Sequence, residues 1–224
     1  MKILITSGGT TEYLDSVRVL TNISTGKLGA TIAKKFISKK HKVLYVHAKN
    51  AIIPKLSLAT DNIFDFSAHE IKDVNSLVKT MEELVPTVDV IIHCMAVSDF
   101  GFEPTKTKLK SNDPLAFVDS LRDRIKVNPK VLSLIKNWNQ NCYLISFKFE
   151  VGLENSELIR IAKESMYKNN CDVVVANDKK EMMEKGKHVA YVIKNNGDIV
   201  VAESKEDIAS ILVKIVENDI RVGH

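Results

Sequence analysis

Short apolar runs alternate with amphipathic stretches along almost the whole chain of 224 residues, and this alternation limits the possible folds more than any other feature. Buried strands are predicted by five apolar runs, at residues 2–6, 42–47, 88–93, 142–147 and 172–176. Helices are predicted by apolar residues at helical spacing over residues 25–40, 77–85, 129–138, 154–169 and 208–216. Strands separated by helices indicate βαβ units, which require a parallel sheet with right-handed crossovers.

The C-terminal part of the chain adds a predicted β-hairpin. Residues 188–193 and 199–202 flank the pair Asn196-Gly197, which is a strong signal for a tight turn. Residues 99–128 contain two prolines and many lysines with little periodicity, so they are expected to form a long loop. The elements together predict an α/β protein with a three-layer Rossmann-like fold, a mainly parallel central sheet and a C-terminal hairpin. One domain is expected over residues 1–224, with a flap loop at about 100–127.

Composition excludes several classes of protein. With 45% hydrophobic and 27% charged residues, the chain does not resemble a disordered protein. A membrane span needs ~18 consecutive apolar residues, and the chain has no such run. The first residues, MKILITSGG, lack the features of a signal peptide, so we expect a cytoplasmic protein. The net charge of +4 suits a small anionic ligand but not, by itself, a nucleic acid.

The chain has three cysteines, Cys94, Cys142 and Cys171, and an odd number cannot all pair within one chain. Each cysteine lies beside apolar residues. Cysteines of this kind are typical of reduced, buried thiols in an intracellular protein. We therefore predict structural thiols and no disulfide framework.

The fold prediction also indicates where a ligand would bind. Ligands of parallel α/β sheets lie beyond the carboxyl ends of the strands, here residues 7–26, 93–111, 147–152 and 176–181. Small residues that admit an anion to the backbone follow the first strand and precede the first helix: Gly8, Gly9 and Thr10, then Ser24, Thr25 and Gly26. Ser24 or Thr25 is the expected N-cap of that helix. A plain tight turn is the alternative interpretation, and no G-x-G-x-x-G or G-x-x-x-x-G-K-[ST] motif is present.

The segment SGGTTEYLDSVRVLTNISTGKLG, which begins at Ser7, resembles the opening of the phosphopantothenoylcysteine synthetases of coenzyme A biosynthesis. The resemblance continues in the family's order through HCMAVSDF, KLKS, NPKVLSLIKNW, SFKFE and VVANDKK, and covers essentially the whole chain. It implies a ligase that joins 4′-phosphopantothenate to cysteine through an acyl-cytidylate, consuming CTP and releasing CMP and pyrophosphate. It further implies Mg²⁺ held mainly by the nucleotide phosphates, a homodimer, and no flavin, with any decarboxylase acting as a separate protein.

The resemblance implies catalytic roles for three residues. Asn22 matches the asparagine that contacts the acyl-nucleotide intermediate, where an uncharged amide can donate to an acyl oxygen. Arg18 lies near the same site, and its guanidinium suits a phosphate or a carboxylate. Lys108 and Lys110 belong to a flap whose lysines neutralise the triphosphate. The alternatives are an asparagine that caps the following helix and a set of solvated basic side chains.

The resemblance also implies a nucleotide-binding set. Asp99 would hold the ribose hydroxyls or help to order Mg²⁺. Phe147 would stack on the base, which is typically worth ~1–3 kcal/mol, although a core phenylalanine explains the pattern nearly as well. His93 and Cys94 are assigned structural roles. The complete predicted set is Gly8, Gly9, Thr10, Ser24, Thr25, Gly26, Met95, Ala96, Asp99, Lys108, Lys110, Pro129, Val131, Phe147 and Asn177.

Three positions depart from the family pattern. The family often has two lysines, four residues apart, on the helix before the strand at 172–176, and alignment on Asp172 places Ser165 and Asn169 there. The choice between CTP and ATP therefore stays open, and so do the cysteine site, the dimer surface and the Mg²⁺ ligands. Ser111 stands where the flap often has a lysine. Two other functions are considered: a Rossmann-type NAD(P) oxidoreductase, and a catalytically silent nucleotide-binding regulatory protein.

Overall fold

The computed structural model describes residues 1–57, 66–110 and 112–222, so Ser111 lies outside the described residues. Eight of the described strands form one sheet: β1 (Lys2–Ser7), β4 (Lys42–Ala48), β5 (Phe66–Ile71), β6 (Val90–His93), β9 (Tyr143–Glu150), β10 (Val173–Asp178), β11 (Ala190–Lys194) and β12 (Ile199–Ala202). Their spatial order is β12-β11-β10-β9-β6-β1-β4-β5. All pairings are parallel except those of β11, which joins β12 as the predicted C-terminal hairpin.

Helices cover both faces of this sheet, which confirms the predicted three-layer α/β fold. On one face, α1 (Lys27–Ser38) and α7 (Lys205–Val222) pack against side chains such as Ile3 and Ile5. The other face, which includes Leu4, carries α2 (Val74–Leu84), α4 (Val131–Trp138) and α5 (Asn155–Lys168). The alternation of Ile3, Leu4 and Ile5 between two cores follows from the period of two along a strand.

The prediction of a long loop at residues 99–128 is wrong. These residues form a short hairpin, β7 (Phe100–Phe102) with β8 (Ile125–Val127), and between its strands lies α3 (Pro114–Arg122). Pro114 occupies the first turn of α3 and Asp113 caps it by accepting backbone N–H groups. Three-residue strands show too little periodicity to be recognised. We keep the name flap for residues 99–128.

A hairpin, a helix and a strand among the described elements also escape the sequence patterns. The segment after β1 forms a second hairpin, β2 (Thr11–Tyr13) with β3 (Val19–Thr21), and α6 (Lys179–Lys185) follows β10. The edge strand β5 also has no counterpart among the predicted strands. These elements are short or lie at an edge of the sheet, so their apolar content is low.

The starts of four helices differ from the predictions by two or three residues. Helices α2 and α7 begin three residues earlier than predicted, at Val74 and Lys205, and α1 and α4 begin two residues later. Helix α1 begins at Lys27 and its N-cap is Gly26, in the left-handed region with φ of 72°, so neither Ser24 nor Thr25 is the cap. A side chain at Gly26 would lie 2.8 Å from Ser7 Oγ, which explains why the smallest residue holds this position. Helix α4 begins at Val131 with Lys130 as its N-cap, so Pro129 precedes the helix instead of opening it.

The three cysteines are all free thiols. Cys142 and Cys171 are buried, and Cys94 is partly exposed at the residue level. Burial raises the pKa of Cys94 to about 12 and that of Cys171 to about 11, so these thiols are protonated and unreactive near neutral pH. The predicted role as structural thiols is in accord with this environment. Among the described residues, no helix is long and apolar enough to cross a membrane.

Candidate active site at the carboxyl edge of the sheet

The ends of β1 and β6 are joined by backbone hydrogen bonds at the carboxyl edge of the sheet. Thr10 N–H donates to Ala96 O over 3.1 Å, and Ala96 N–H donates to Gly8 O over 2.9 Å. The side-chain oxygen of Thr10 then accepts the N–H of Ser98 at 2.9 Å. Two of the predicted ligand-binding segments, after β1 and after β6, therefore form one continuous backbone surface.

Asn22 lies directly on this surface. Its amide Nδ2 donates to Ala96 O over 3.3 Å, and the residue is exposed. A Cβ at Gly9 would lie only 2.8 Å from Asn22 O, so the close approach of the two segments depends on glycine at position 9. The side chain of Asn22 is thus held at the sheet edge with its amide oxygen available to a ligand.

The start of α1 is pressed against the end of β1. Ser7 Oγ donates to Gly26 O over 3.0 Å, and a Cβ at Gly29 would lie 2.4 Å from Ser7 Oγ. Thr25 O accepts the N–H of Ile52 at 2.9 Å, and Ser24 N–H donates to Asn22 O over 2.9 Å. Helix α1 therefore begins at the same edge of the sheet as Asn22. The free N–H groups of its N-terminus favour an anion at this place.

Arg18 contacts the flap and not an open site. Its guanidinium lies 3.7 Å from the carboxylate of Asp15, donates to Leu109 O over 3.3 Å, and sits 4.8 Å above the ring of Phe117. Lys108 and Lys110, on either side of Leu109, are exposed. The structure thus brings Arg18 and the flap lysines into one neighbourhood, with Arg18 serving as the contact between the β2–β3 hairpin and the flap.

Asp15 organises this contact. It is 1% exposed and accepts the N–H groups of Val17, Arg18 and Leu109 at 2.8–3.0 Å. Burial alone would raise the pKa of Asp15, but these hydrogen bonds and the nearby Arg18 charge keep that pKa below its ordinary value. An ionised, buried carboxylate therefore ties the flap to the hairpin. Asp15 was not among the predicted site residues, although an aspartate in a turn is a signal for such a side-chain cap.

The residues around α4 have mixed environments. Asp99 and Lys130 are exposed and form an ion pair at 2.5 Å, whereas Val131 is buried in the core. Asn128 is 4% exposed, and its side chain and backbone donate to Ser98 O and Asp99 O. Of the predicted nucleotide-binding residues here, Asp99 can offer a side chain, while Val131 can offer only backbone groups.

A cleft of about 890 Å³ opens beside Asn22 at the ends of β9 and β10. None of its described lining residues is acidic, and they are Asn22, Ile23, Ala96, Val97, Phe149, Lys179, Met182, Met183, Gly186, Lys187, His188 and Lys205. Asn177, at the end of β10, is buried, and its amide contacts Met182 Sδ at 3.1 Å. The cleft is therefore lined by basic and apolar side chains.

The aromatic side chain at this cleft is Phe149 and not Phe147. Phe149 is 55% exposed and lines the cleft, whereas Phe147 packs against the core cluster on the α1–α7 face. Both residues point to the same face because they are two apart on β9. Met95 likewise belongs to the buried core of the opposite face. Of the predicted residues, Phe147 and Met95 therefore turn toward the core, and the side chain that is open to the cleft is that of Phe149.

Ser165 and Asn169 do not line the cleft. Ser165 lies on α5 and Asn169 is the C-cap of that helix, and the buried residues of α5 belong to the core of the opposite face. Asn169 Nδ2 donates to Ser165 O over 2.8 Å, and its amide oxygen accepts from Ser133 Oγ at 3.2 Å. In the described part of the chain, no group of three or more His, Cys, Asp or Glu side chains is placed to hold a metal ion.

His93 occupies the interior just below the site. Its Nδ1 lies 2.9 Å from Thr6 Oγ1, which also accepts the N–H of Met95 at 3.2 Å. Burial lowers the pKa of His93 to about 4, so the ring is neutral near pH 7. The geometry supports a structural role for His93 in fixing the turn after β6.

Comparison with known proteins shows a family and several relatives. Residues 1–220 match the family of the DNA/pantothenate metabolism flavoprotein C-terminal domain. The DNA/pantothenate metabolism flavoprotein of Streptococcus pneumoniae is similar in structure, with a TM-score of 0.83, 31% identity and 100% of both chains covered. A Cab2 mutant in complex with phosphopantothenate-cysteine has a TM-score of 0.75 at 19% identity, covering 100% of this chain and 88% of that one, which shows a shared fold.

A curated relative is the coenzyme A biosynthesis bifunctional protein CoaBC of Methanocaldococcus jannaschii. It is 32% identical over 177 residues, which are 79% of this chain and 40% of that protein. The chain spans between two fifths and about half of the length of the curated relatives it matches.

Proposed function

Because the chain belongs to the family of the DNA/pantothenate metabolism flavoprotein C-terminal domain, we propose that it is a phosphopantothenate–cysteine ligase of coenzyme A biosynthesis. The names of its relatives support this assignment, since one is a coenzyme A biosynthesis protein and another was solved with phosphopantothenate-cysteine. The observation that carries the proposal is the position of Asn22 at the junction of β1, β6 and the first turn of α1, beside a basic cleft. Such a site suits an anionic, phosphorylated substrate.

The proposed reaction has two steps. First, a carboxylate oxygen of 4′-phosphopantothenate attacks the α-phosphorus of CTP, the bond to pyrophosphate breaks, and an acyl-cytidylate forms. Second, the cysteine amine attacks the acyl carbon, the acyl carbon–oxygen bond breaks, CMP leaves with one former carboxylate oxygen, and the amine loses a proton to solvent. Holding the two anionic reactants together is the main catalytic task, because the anhydride itself supplies the driving force.

Asn22 positions the acyl group in this scheme. Its amide is held at the sheet edge by Ala96 O and by the close contact with Gly9. One N–H can donate to the acyl oxygen while the side chain stays uncharged, which avoids repulsion of a phosphorylated substrate. The backbone N–H groups at the start of α1, near Ser24, Thr25 and Gly26, add a positive end of a helix dipole at the same place.

The flap supplies exposed cations. Lys108 and Lys110 are exposed on both sides of Leu109, whose backbone is held by Asp15 and Arg18. In our proposal Lys108 neutralises charge on the triphosphate when the flap covers the site. Lys110 adds a second positive charge near the triphosphate. Arg18 acts on the flap through its contacts with Leu109 and Phe117, so it is a positioning residue in this arrangement.

Mg²⁺ is expected to accompany the nucleotide. A metal bound through phosphates needs only one or two protein carboxylates, and Asp99 is an exposed carboxylate at the correct edge of the sheet. Asp99 would take this role by exchanging its ion pair with Lys130. Bound Mg²⁺ supplies charge neutralisation of the phosphates. The reaction changes no oxidation state, so it needs no flavin.

We also propose that the ligase is a homodimer in the cytoplasm. Apolar side chains are exposed along the β2–β3 hairpin and on α3, at Val17, Val19, Leu20, Leu115 and Val118. A second copy that covers this surface would bury it from water. The free thiols suit a reducing compartment. A separate decarboxylase would consume the product.

Sedimentation velocity should show a species of twice the mass of the chain, and a monomer at micromolar concentration would contradict the dimer.

Product analysis tests the proposed function. The protein is incubated with 4′-phosphopantothenate, cysteine and Mg²⁺, with CTP and ATP in parallel, and nucleotides and pyrophosphate are quantified. We expect CMP and pyrophosphate in equal amounts, formed only when 4′-phosphopantothenate is present. Binding of CTP without any product would favour the silent regulatory protein, and binding of NADH or NADPH would favour the oxidoreductase. The ATP arm decides the nucleotide preference, which Ser165 and Asn169 leave open.

A further inference from the structure

Two helices that pack side by side begin at the same edge of the sheet, and each begins with a lysine. Lys27 is the first residue of α1, which follows β1, and Lys205 is the first residue of α7, which follows β12. Strand β12 runs in the direction of β10 because the chain reverses twice between them, so its end lies at the carboxyl edge too. Two helix N-termini and two lysines therefore face one region, next to the cleft.

Lys205 is held by His188. The distance from Lys205 Nζ to His188 Nδ1 is 3.3 Å, and both residues line the cleft. An ammonium group can only donate, so Nδ1 accepts and the neutral imidazole carries its hydrogen on Nε2. Burial and the Lys205 charge lower the pKa of His188 to about 4, which keeps the ring neutral near pH 7. His188 Nε2 is buried and has no acceptor among the described residues.

The ammonium groups of Lys27 and Lys205 have no direct ion-pair partner among the described residues. Burial lowers the pKa of Lys205, and the like charge of Lys27 lowers it further, against the opposing effect of Glu206. Within the described residues, no carboxylate lies within 4 Å of the ammonium groups of Lys27 or Lys205. Partly desolvated positive charge without a counter-ion is unfavourable, and an anion with several acceptor oxygens would relieve it.

We propose that Lys205, oriented by His188 and flanked by Lys27, binds a phosphate group of a substrate in the cleft. This inference rests on the proposed function, which supplies two phosphate-bearing substrates: the nucleoside triphosphate and 4′-phosphopantothenate. A tetrahedral, multiply charged anion fits two ammonium groups better than a single carboxylate does.

The test compares Lys205→Met with Lys214→Met. Methionine keeps the length and apolar part of the side chain but removes the charge, and Lys214 is an exposed lysine on the same helix. Calorimetry measures binding of pyrophosphate, CTP and 4′-phosphopantothenate, and steady-state kinetics measure the KM of each substrate. A lost charge-assisted hydrogen bond weakens binding by about ten- to a hundredfold. We expect this loss in Lys205→Met for one phosphate-bearing substrate, recovery in Lys205→Arg, and no loss in Lys214→Met.

The two substrates distinguish the source of the phosphate. A loss confined to CTP and pyrophosphate assigns Lys205 to the triphosphate, and a loss confined to 4′-phosphopantothenate assigns it to the phosphate monoester. Unchanged binding of all three probes by Lys205→Met would overturn the proposal while the ligase activity stands. If the wild-type protein binds these anions but makes no product, the proposed function fails, and the binding comparison still decides the role of Lys205.

Stability gives an independent readout. Lys205 places a positive charge at the positive end of α7 and beside Lys27, so its removal should not destabilise the fold. We expect the melting temperature of Lys205→Met without ligand to equal or exceed that of the wild type. A melting temperature lowered by several degrees would instead assign Lys205 a structural role and contradict the proposed phosphate site.

Discussion

The carboxylate of Asp15 accepts the backbone N–H of Leu109 over 3.0 Å, and this contact joins the β2–β3 hairpin to the middle of the flap. The two residues are 94 positions apart in the sequence. Asp15 is buried and ionised, and the same carboxylate also holds the turn that carries Arg18. The flap lysines are therefore placed by a residue that need not touch a substrate.

Asp15→Asn should loosen the flap. The substitution removes the charge from hydrogen bonds of a kind worth about 1.5–3 kcal/mol, so we expect kcat/KM to fall roughly tenfold. Limited proteolysis should cut within residues 99–128 faster than in the wild type. Asp123→Asn is the matched control, because Asp123 is an exposed carboxylate of the same flap. Equal cleavage rates and equal kcat/KM for Asp15→Asn and wild type would refute the role of Asp15.

Asn22→Asp should stall turnover and leave the fold intact. The new carboxylate cannot donate to an acyl oxygen, and its charge repels a phosphorylated acid. We expect kcat to fall by roughly a hundredfold or more, by analogy with loss of an oxyanion donor. Circular dichroism should be unchanged because Asn22 is exposed. An unaltered steady-state rate would remove Asn22 from the mechanism.

Gly29→Ala should destabilise the protein even though alanine favours a helix more than glycine does. The added Cβ would lie 2.4 Å from Ser7 Oγ, so α1 would have to move away from β1. Overpacking of this kind costs about 1–3 kcal/mol, to be measured by urea denaturation. The double variant Gly29→Ala with Ser7→Gly removes the Ser7 side chain that the new Cβ would meet. It should therefore recover part of the lost free energy of unfolding. Stabilisation by Gly29→Ala alone would show that the two elements are not in tight contact.

His93 should make the protein less stable in acid. Its pKa is about 4 in the folded protein, below the ordinary value of 6.5, so the unfolded chain binds a proton first as the pH falls. The contribution of His93 to the free energy of unfolding is then fully present above pH ~6.5 and is lost as the pH falls from ~6.5 to ~4. The loss amounts to about 2.5 kcal/mol at pH ~4.5. His93→Gln removes this titration. The free-energy difference between wild type and His93→Gln should change by that amount from pH ~8 to ~4.5, and a constant difference would contradict the assigned burial.

The sequence was sufficient to predict seven of the eight described strands of the central sheet and the two helical layers. Long apolar strands such as β1 and long helices such as α5 have clear periodicity, so their positions agree with the structure to within a few residues. The flap elements and the β2–β3 hairpin were missed because three-residue strands are stabilised by tertiary contacts, such as those of Asp15 and Arg124, and not by local propensity.

The site was predictable only in part, for a similar reason. Sequence identifies which segments reach the carboxyl edge, because that follows from the parallel topology. It does not show that Phe149 opens to the cleft while Phe147 packs in the core, since both share one face of β9. It also does not bring His188 and Lys205 together, because their contact depends on how the hairpin and α7 fold back on the sheet.

The most direct test of the proposed mechanism follows one oxygen atom. 4′-Phosphopantothenate labelled with oxygen-18 in its carboxylate is turned over with cysteine, CTP and Mg²⁺, and the products are analysed by mass spectrometry. An acyl-cytidylate intermediate transfers one labelled oxygen to CMP and leaves pyrophosphate unlabelled. Unlabelled CMP, or label in a phosphate released together with CDP, would contradict attack of the carboxylate on the α-phosphorus.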